Sequence, residues 1–313
     1  MDPLSEVFSA LRINKAVTTR LEATAPWGWR SAGNGENSVN FVLVQHGSGI
    51  LTMHSQPNPV YLAAGDVFIT FDSDPYTLVD HPSSVVVDCR VVDENRVDDV
   101  IKFGGDGALT TFVSGSFAID ELEATPILSV LPSFLHLRLE HNRTHAFQSA
   151  LNLLAIELQQ PGLASDATIA RLYEILLVYA VRAYVNSGAI PRIGWLSAIS
   201  DKQLAPAAIA MHERLAEDWT LESLAAKAYM SRSAFASKFK AVVGQTPLEY
   251  LTHWRVHRAK LLIRNTRQSM GEVAHKVGYE SETSFNRVFK RVTGMTPGAF
   301  RRSSLATQPG DRI

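Results

Sequence analysis

Cysteine is nearly absent. Cys89 is the only one in 313 residues, which excludes an internal disulfide and fits a reducing compartment. Long apolar runs are missing as well: the longest, ILLVYAV at 175–181, is far too short to span a bilayer, so no membrane partner is expected. The opening residues, MDPLSEVF, are acidic where a secretory signal is basic and then apolar. A cytoplasmic protein is expected. Patterns that carry catalysis are lacking too. No H-x-H stands near the first strand-like runs, only isolated His46 and His54, and His141 and His145 in HNRTH lack the glutamate of a zincin. SGS at 114–116 is no nucleophile elbow, and GGDG at 104–107 is too little for a dinucleotide loop. Neither an enzyme, a metal site nor a cofactor is expected.

What is present describes an ordinary globular chain, with 46% apolar and 19% charged residues and length for two domains. Its net charge of −1 conceals an asymmetry. Residues 211–302 hold 16 Lys and Arg against 8 Asp and Glu, whereas residues 1–210 hold 13 against 22. A basic C-terminal third on an acidic body suggests a module for a polyanion, because neutralising phosphates supplies most non-specific affinity. A solvated helical surface has the same composition, so charge alone does not decide.

The first part has β character. VNFVLVQ (39–45), DVFITF (66–71) and SVVVDCRVV (84–92) are β-branched runs separated by the turn clusters GSG, QPNP and DSDP. Such spacing predicts an antiparallel barrel or sandwich. From Ser133 the pattern becomes helical. HAFQSALNLLAIELQQ stops at Pro161-Gly162, and the next helix has Ser165 or Asp166 as N-cap and Gly188 past its end. Its stripe of Leu172, Ile175, Leu176 and Tyr179 either packs on the β domain or forms a dimer seam. The segment 189–205, bounded by Gly and Pro, reads as a linker.

Everything after the linker reads as short helices, and one segment occurs twice. SRSAFASKFKAVVGQTP at 231–247 returns as SETSFNRVFKRVTGMTP at 281–297. In each copy two Phe and a Val recur at i, i+4 and i+7, the period of a helix face. Ser231 and Ser281 are good N-caps, Gly244 and Gly294 good C′ residues, and Thr-Pro opens the next helix. A shorter helix precedes each copy, LESLAAKA (221–228) and MGEVAHKV (270–277). Short helix, tight turn and longer helix make a helix-turn-helix, whose second helix enters the major groove. Two units in register on a basic segment therefore predict double-stranded DNA as partner.

If the Phe and Val positions are buried, the outward face follows by subtraction. Copy one presents Ser233, Ala236, Ser237 and Lys240; copy two presents Thr283, Asn286, Arg287 and Lys290. Arg pairs bidentately with guanine and Asn with adenine, whereas Ser and Thr are promiscuous. Lys240 and Lys290, with Arg232 and Arg291 nearby, suit phosphates. The second copy is expected to read more sequence than the first.

These residues resemble the AraC/XylS family of bacterial transcriptional regulators. The resemblance covers about 206–302 and rests on LAAKAYMSRSAFASKFKAVVGQTPLEYLTHWRVHRAKLLI and VAHKVGYESETSFNRVFKRVTGMTPGAFR. It implies that the two units enter successive major grooves on one face of DNA, and that the outward positions just named read bases. One departure lowers the readout expected of copy one: Ser237 stands where the family often places a large or basic side chain. Residues 1–140 are similar to the cupin-like sensor of one branch of the family, through DPLSEVFSALRI, APWGW, AAGDVFITFDSDPYTL and GGDGALTTFVSGSF. That likeness implies a small-molecule effector and a homodimer, with RNA polymerase as a further partner if the protein activates. Tyr76 stands where metal-binding cupins place a histidine, so a metal is not expected.

The expected architecture is α+β: a cupin-like β-barrel domain (1–140), a helical region that is a candidate for dimerisation (141–188), a linker (189–205), an all-α DNA-binding domain with two helix-turn-helix units joined by a linker helix (206–302), and a tail (303–313). Trp27, Trp29, His46 and Tyr76 are the candidate ligand residues of the barrel. Two other readings stay open, a cupin-type enzyme fused to a DNA-binding domain and a regulator whose N-terminal domain binds a protein partner.

Overall fold

The computed structural model describes residues 4, 5, 8, 13–33, 38–71, 74–128, 130–138, 145–160, 162–186 and 194–307. The side chains of His141 and His145 lie outside the described residues. The chain divides near residue 190 into two compact units.

The first unit is built on strands β1 (Ile13–Thr24), β2 (Gly28–Ser31), β3 (Ser38–His46), β4 (Ser48–Met53), β5 (Val60–Ala63), β6 (Asp66–Phe71), β7 (Tyr76–Val79), β8 (Val87–Asp88), β9 (Arg96–Val97), β10 (Val100–Gly104), β11 (Leu109–Ile119) and β12 (Phe134–Arg138). They form a seven-stranded sheet in the order β12-β6-β3-β11-β1-β10-β9 and a five-stranded sheet in the order β5-β4-β7-β2-β8. Antiparallel register sets Val42 opposite Phe68 and Val44 opposite Phe112. Because side chains alternate along a strand, these residues share one face. They join Trp27, Trp29, Leu51, Leu78 and Ile101 in a single apolar core fed by both sheets.

The run at 84–92, expected as a strand, is one only at Val87–Asp88. Beyond it Cys89–Asp93 forms a one-turn helix, α1, because the Asp88 side chain accepts from the Arg90 N–H and caps it. A local cap outweighs β-branched propensity here.

Three further helices complete this unit, α2 (Glu121–Leu128), α3 (His145–Gln159) and α4 (Ser165–Asn186). The buried stripe of α4 is Leu172, Tyr173, Leu176, Leu177, Ala180 and Val181. It differs from the expected one: Ile175 is 43% exposed and Tyr179 is half-buried. Ser165 opens the helix from within rather than capping it, preceded by Ala164 at φ 62°. Tyr173 anchors the packing. Its ring lies against Phe41 and Phe117, its hydroxyl bonds to Thr18, and a Cβ at Gly115 would collide with that hydroxyl. Glycine at 115 lets the helix seat on the sheet.

The second unit is all helical: α5 (Trp195–Ser200), α6 (Ala205–Glu213), α7 (Leu221–Lys227), α8 (Arg232–Val243), α9 (Pro247–Asn265), α10 (Met270–Lys276), α11 (Glu282–Thr293) and α12 (Pro297–Thr307). The linker expected at 189–205 is therefore corrected. Trp195, Leu196 and Ala198 of α5 are buried within this unit, and the Gly194 N–H donates to the Val242 carbonyl at 3.0 Å; residues 189–193 lie outside the described residues. The tail expected from 303 begins instead as the end of α12, and 308–313 lie outside the described residues.

The duplicated segments are α8 and α11. Ser231 and Ser281 cap them, and Gly244 and Gly294 end them in the left-handed conformation at φ 86° and 80°. Thr246 with Glu249 and Ser269 with Glu272 form capping boxes at α9 and α10. Phe235, Phe239, Phe285 and Phe289 are fully buried, each worth about 1.5–3 kcal/mol over an exposed side chain. Phe285 and Phe289 close one core with Val256, Ala259, Ile263, Val273 and Val277. Copy one builds its own around Phe239 and Tyr250, 5.4 Å apart, with His212 Nε2 2.5 Å from the Tyr250 hydroxyl.

The turns differ. Copy two turns at Gly278, φ 85°, where a Cβ would lie 2.7 Å from the Ala216 carbonyl oxygen. Copy one turns at Tyr229, φ 53°, whose side chain is 94% exposed. One turn is packed against the neighbouring copy and the other faces solvent. Exchanging their residues is therefore expected to be asymmetric: Tyr229→Gly leaves stability within about 1 kcal/mol, while Gly278→Tyr loses about 3 kcal/mol or more through overpacking and strain. Urea unfolding of the full chain, following the helical signal, measures both.

Candidate nucleic-acid interface and barrel cavity

The outward faces of α8 and α11 are where the expected DNA-contacting residues fall. Arg232, Ser233, Ser237 and Lys240 are exposed on α8; Thr283, Arg287, Lys290 and Arg291 are exposed on α11. At 1.5 Å per residue, the span from 233 to 240 or from 283 to 290 covers about 10 Å, roughly three base pairs at 3.4 Å each. Asn286 differs. It is half-buried, and its Oδ1 is out of solvent and without a hydrogen-bond partner. A bidentate contact to adenine needs both amide atoms, so this side chain must turn outward to make one.

Basic side chains in this unit fall into two groups. Lys238 is committed to the fold, 2.9 Å from Asp201 and 2.6 Å from the Gln203 side-chain oxygen. Arg255 is committed too, and Arg301 donates to the Gln268 carbonyl at 2.6 Å. Among the described residues no ion pair within 4.0 Å engages Arg232, Lys240, Arg287, Lys290 or Arg291. Five cations thus stand uncommitted on the two helix faces a groove would meet. The first turns diverge in charge, since Arg232 of copy one corresponds to Glu282 of copy two.

Arg255, which the sequence reading did not single out, ties the copies together from the connecting helix α9. Its Nε donates to the Leu215 carbonyl at 2.9 Å and its Nη2 to the Glu217 carbonyl at 2.7 Å, both ahead of α7 in copy one. Its guanidinium also lies 5.6 Å from the centre of the Tyr279 ring in the turn of copy two. Burial pulls its pKa below the ordinary arginine value.

Known proteins resemble the chain along nearly its whole length. Residues 2–186 match a family described as Cupin, and residues 224–303 match one described as Helix-turn-helix domain. A Streptomyces lividans protein described as an AraC-like transcription regulator is 33% identical over 302 residues, 96% of this chain and 98% of its own length. The chain is 28% identical over 314 residues to the HTH-type transcriptional regulator AlkR of Acinetobacter baylyi, covering 97% and 100% of the two chains. This chain belongs to the AraC-like transcription regulators.

The cupin domain of this AraC-like regulator contains a cavity of about 420 Å³, partly open to solvent and within the size range of small-molecule sites. Of the four expected ligand residues, Trp29 and Tyr76 line it. Two are corrected. Trp27 is a 2%-exposed core residue packed on Trp29 and Phe112, and His46 is exposed at the end of β3, away from the cavity. Burial pushes the Tyr76 hydroxyl up to about 12, so it stays protonated at neutral pH. The sequence reading missed the polar lining, which comes from alternate positions on three strands: Thr19 on β1, Asn40 on β3, Ser114 and Ser116 on β11. Small polar residues at period two inside otherwise apolar strands are the signal that finds them. Among the described residues no group of three or more His, Cys, Asp or Glu is placed to hold a metal ion, and no helix is long and apolar enough to cross a membrane.

The Arg255 geometry generates a prediction. Arg255→Met keeps an apolar stem beside Tyr279 but removes both carbonyl contacts, which as bonds from a charged donor contribute about 1.5–3 kcal/mol each. Affinity for a DNA site spanning both copies is expected to fall by about tenfold, while affinity for a site reduced to the half read by α11 stays level. Fluorescence anisotropy at fixed salt, on a site selected from random DNA, measures the two.

Proposed function

We propose that this AraC-like regulator binds promoter DNA sequence-specifically through α8 and α11, with copy two supplying most of the base readout, and that its cupin domain responds to a small-molecule effector. The observation that carries the DNA reading is the set of uncommitted cations on two capped, in-register helices. Arg287 is the base reader of α11, with Thr283 beside it and Asn286 joining once its amide turns. Ser233 and Ser237 make the weaker contacts of α8. Arg232, Lys240, Lys290 and Arg291 hold phosphates. This division follows the donor geometry of each side chain.

Effector response is supported by the partly open cavity of the cupin domain. In this reading the effector shifts a population between dispositions of the DNA-binding domains, which requires unequal affinity for the two states. The regulator acts in the cytoplasm as a homodimer, with the exposed Leu153, Ile156 and Ile175 of α3 and α4 as candidate seam, and it engages RNA polymerase where it activates. The domain plan is a cupin domain, a helical region and a DNA-binding domain that includes α5.

Arg287→Ala is expected to weaken the specific site by roughly 1–3 kcal/mol and to relax preference at one base pair. Lys290→Ala is expected to weaken all sequences alike and to lower the slope of log affinity against log salt by about one. Selection from random DNA followed by salt titration checks both. An equal loss on specific and random DNA for Arg287→Ala removes it from the readers.

A further inference from the structure

The walls of the cupin cavity hold an unusual combination of groups. Uncharged hydrogen-bonding side chains line it, among them Thr19, Ser31, Asn40, Tyr76, Ser114 and Ser116. Thr19, Ser31 and Asn40 are themselves over nine-tenths buried. Beside them on the same strand faces, Leu21 follows Thr19, Val42 follows Asn40 and Trp29 precedes Ser31, and Val92 and Ile101 add further apolar lining. Trp29 is held edge-on by Phe103 and Phe112, with ring centres 5.5 and 5.2 Å away, so its indole is a fixed surface.

Among the described residues, charge reaches the cavity through Arg90, Asp93 and Arg96, and all three have partners. Arg96 Nη2 lies 2.6 Å from Asp93. Arg90 grips both carboxylate oxygens of Asp88 at 3.0 Å, and its hydrogen bonds hold that carboxyl down to about 2. The Arg90 side chain is 81% exposed, which places its charge at the rim.

An ion entering such a site gives up hydration and meets, among the described residues, no opposite charge outside an ion pair, which strongly disfavours it. Hydroxyls and a carboxamide both donate and accept, so they match carbonyl, ester, amide and hydroxyl groups. We propose that this cavity takes an uncharged small molecule with one apolar face and carbonyl or hydroxyl groups, and that it discriminates against carboxylates and ammonium ions. The proposal rests on the reading of the cupin domain as a small-molecule sensor and adds the chemistry of what it senses. The apolar face lies on Trp29 and Leu21, and the polar groups meet Asn40, Thr19 and the two β11 serines.

The test uses full-length protein and probes matched in shape but not in charge: phenylacetamide against phenylacetate and phenethylamine, and γ-octanolactone against octanoate. Ligand-observed NMR titration reads their affinities. The amide and the lactone are expected to bind at least about tenfold more tightly than their charged counterparts. Ser114→Trp, which fills the cavity, is expected to abolish that binding. Asn40→Leu and Thr19→Val, milder changes that keep the volume, are expected to lower it severalfold and so carry the test if the tryptophan variant does not fold. Tighter binding of phenylacetate or octanoate, lost on Arg96→Gln, overturns the neutral-ligand proposal and leaves the sensor reading standing. Unchanged binding in all three cavity variants overturns it as well. Failure of every probe, neutral and charged, to bind overturns both readings together.

Discussion

Arg255 donates to two backbone carbonyls of one helix-turn-helix copy while its guanidinium covers an aromatic ring in the turn of the other. The carbonyls of Leu215 and Glu217 belong to the segment entering copy one, and the Ala216 carbonyl between them is the atom that forbids a side chain at Gly278 in copy two. One short strip of backbone thus bears on both copies. Two recognition helices can occupy two grooves of one duplex only if their spacing and tilt are fixed, because each groove repeats at a set distance along the DNA. A flexible join would make the second binding event pay again in orientational freedom. The guanidinium suits this task, since its planar fork holds two acceptors at once while its face stays available for a ring.

With the frame fixed by buried residues, the outward faces are free to diverge. Phe235 and Phe239 in one copy and Phe285 and Phe289 in the other do the same packing, and Lys240 and Lys290 occupy the same outward place. Between them Ala236 and Ser237 stand against Asn286 and Arg287. The difference costs the fold almost nothing, because exposed helix positions contribute little to stability. On the proposed readout it changes what each groove can be asked, since a bidentate Arg discriminates between bases and a serine hydroxyl barely does.

Much of this unit was legible in the sequence because its rules are local. N-caps, C′ glycines and the i, i+4 phenylalanines are decided within one or two turns, and they fall where the spacing places them. What failed was decided by distant parts. The segment around Trp195 has Gly and Pro on its flanks and reads as a linker, yet it is a helix because a core elsewhere in the chain accepts its tryptophan. The run at 84–92 has strand propensity throughout, but a single aspartate cap turns its second half into helix. Arg255 is invisible in sequence because its acceptors are backbone carbonyls some forty residues away.

The cavity was illegible for a related reason, and the same reason bears on what it does. Its polar lining is assembled from single positions on β1, β3 and β11, so no contiguous motif announces it. Thr19, Asn40 and Ser114 sit on faces whose neighbours Leu21, Val42 and Phe112 belong to the apolar core. A polar group inside a core is tolerated only when it is hydrogen-bonded, and the bonds here include Asn40 to Thr70 and Ser114 to the Thr19 carbonyl, both 3.4 Å long. Part of the wall is α1, a helix of five residues, too short to be stable without its surroundings. On the sensor reading proposed above, an occupant that fills the space beside α1 has a higher affinity for this arrangement of the wall than for one in which α1 is unfolded. That difference in affinity between two arrangements of one domain is the quantity an effector needs in order to shift a population.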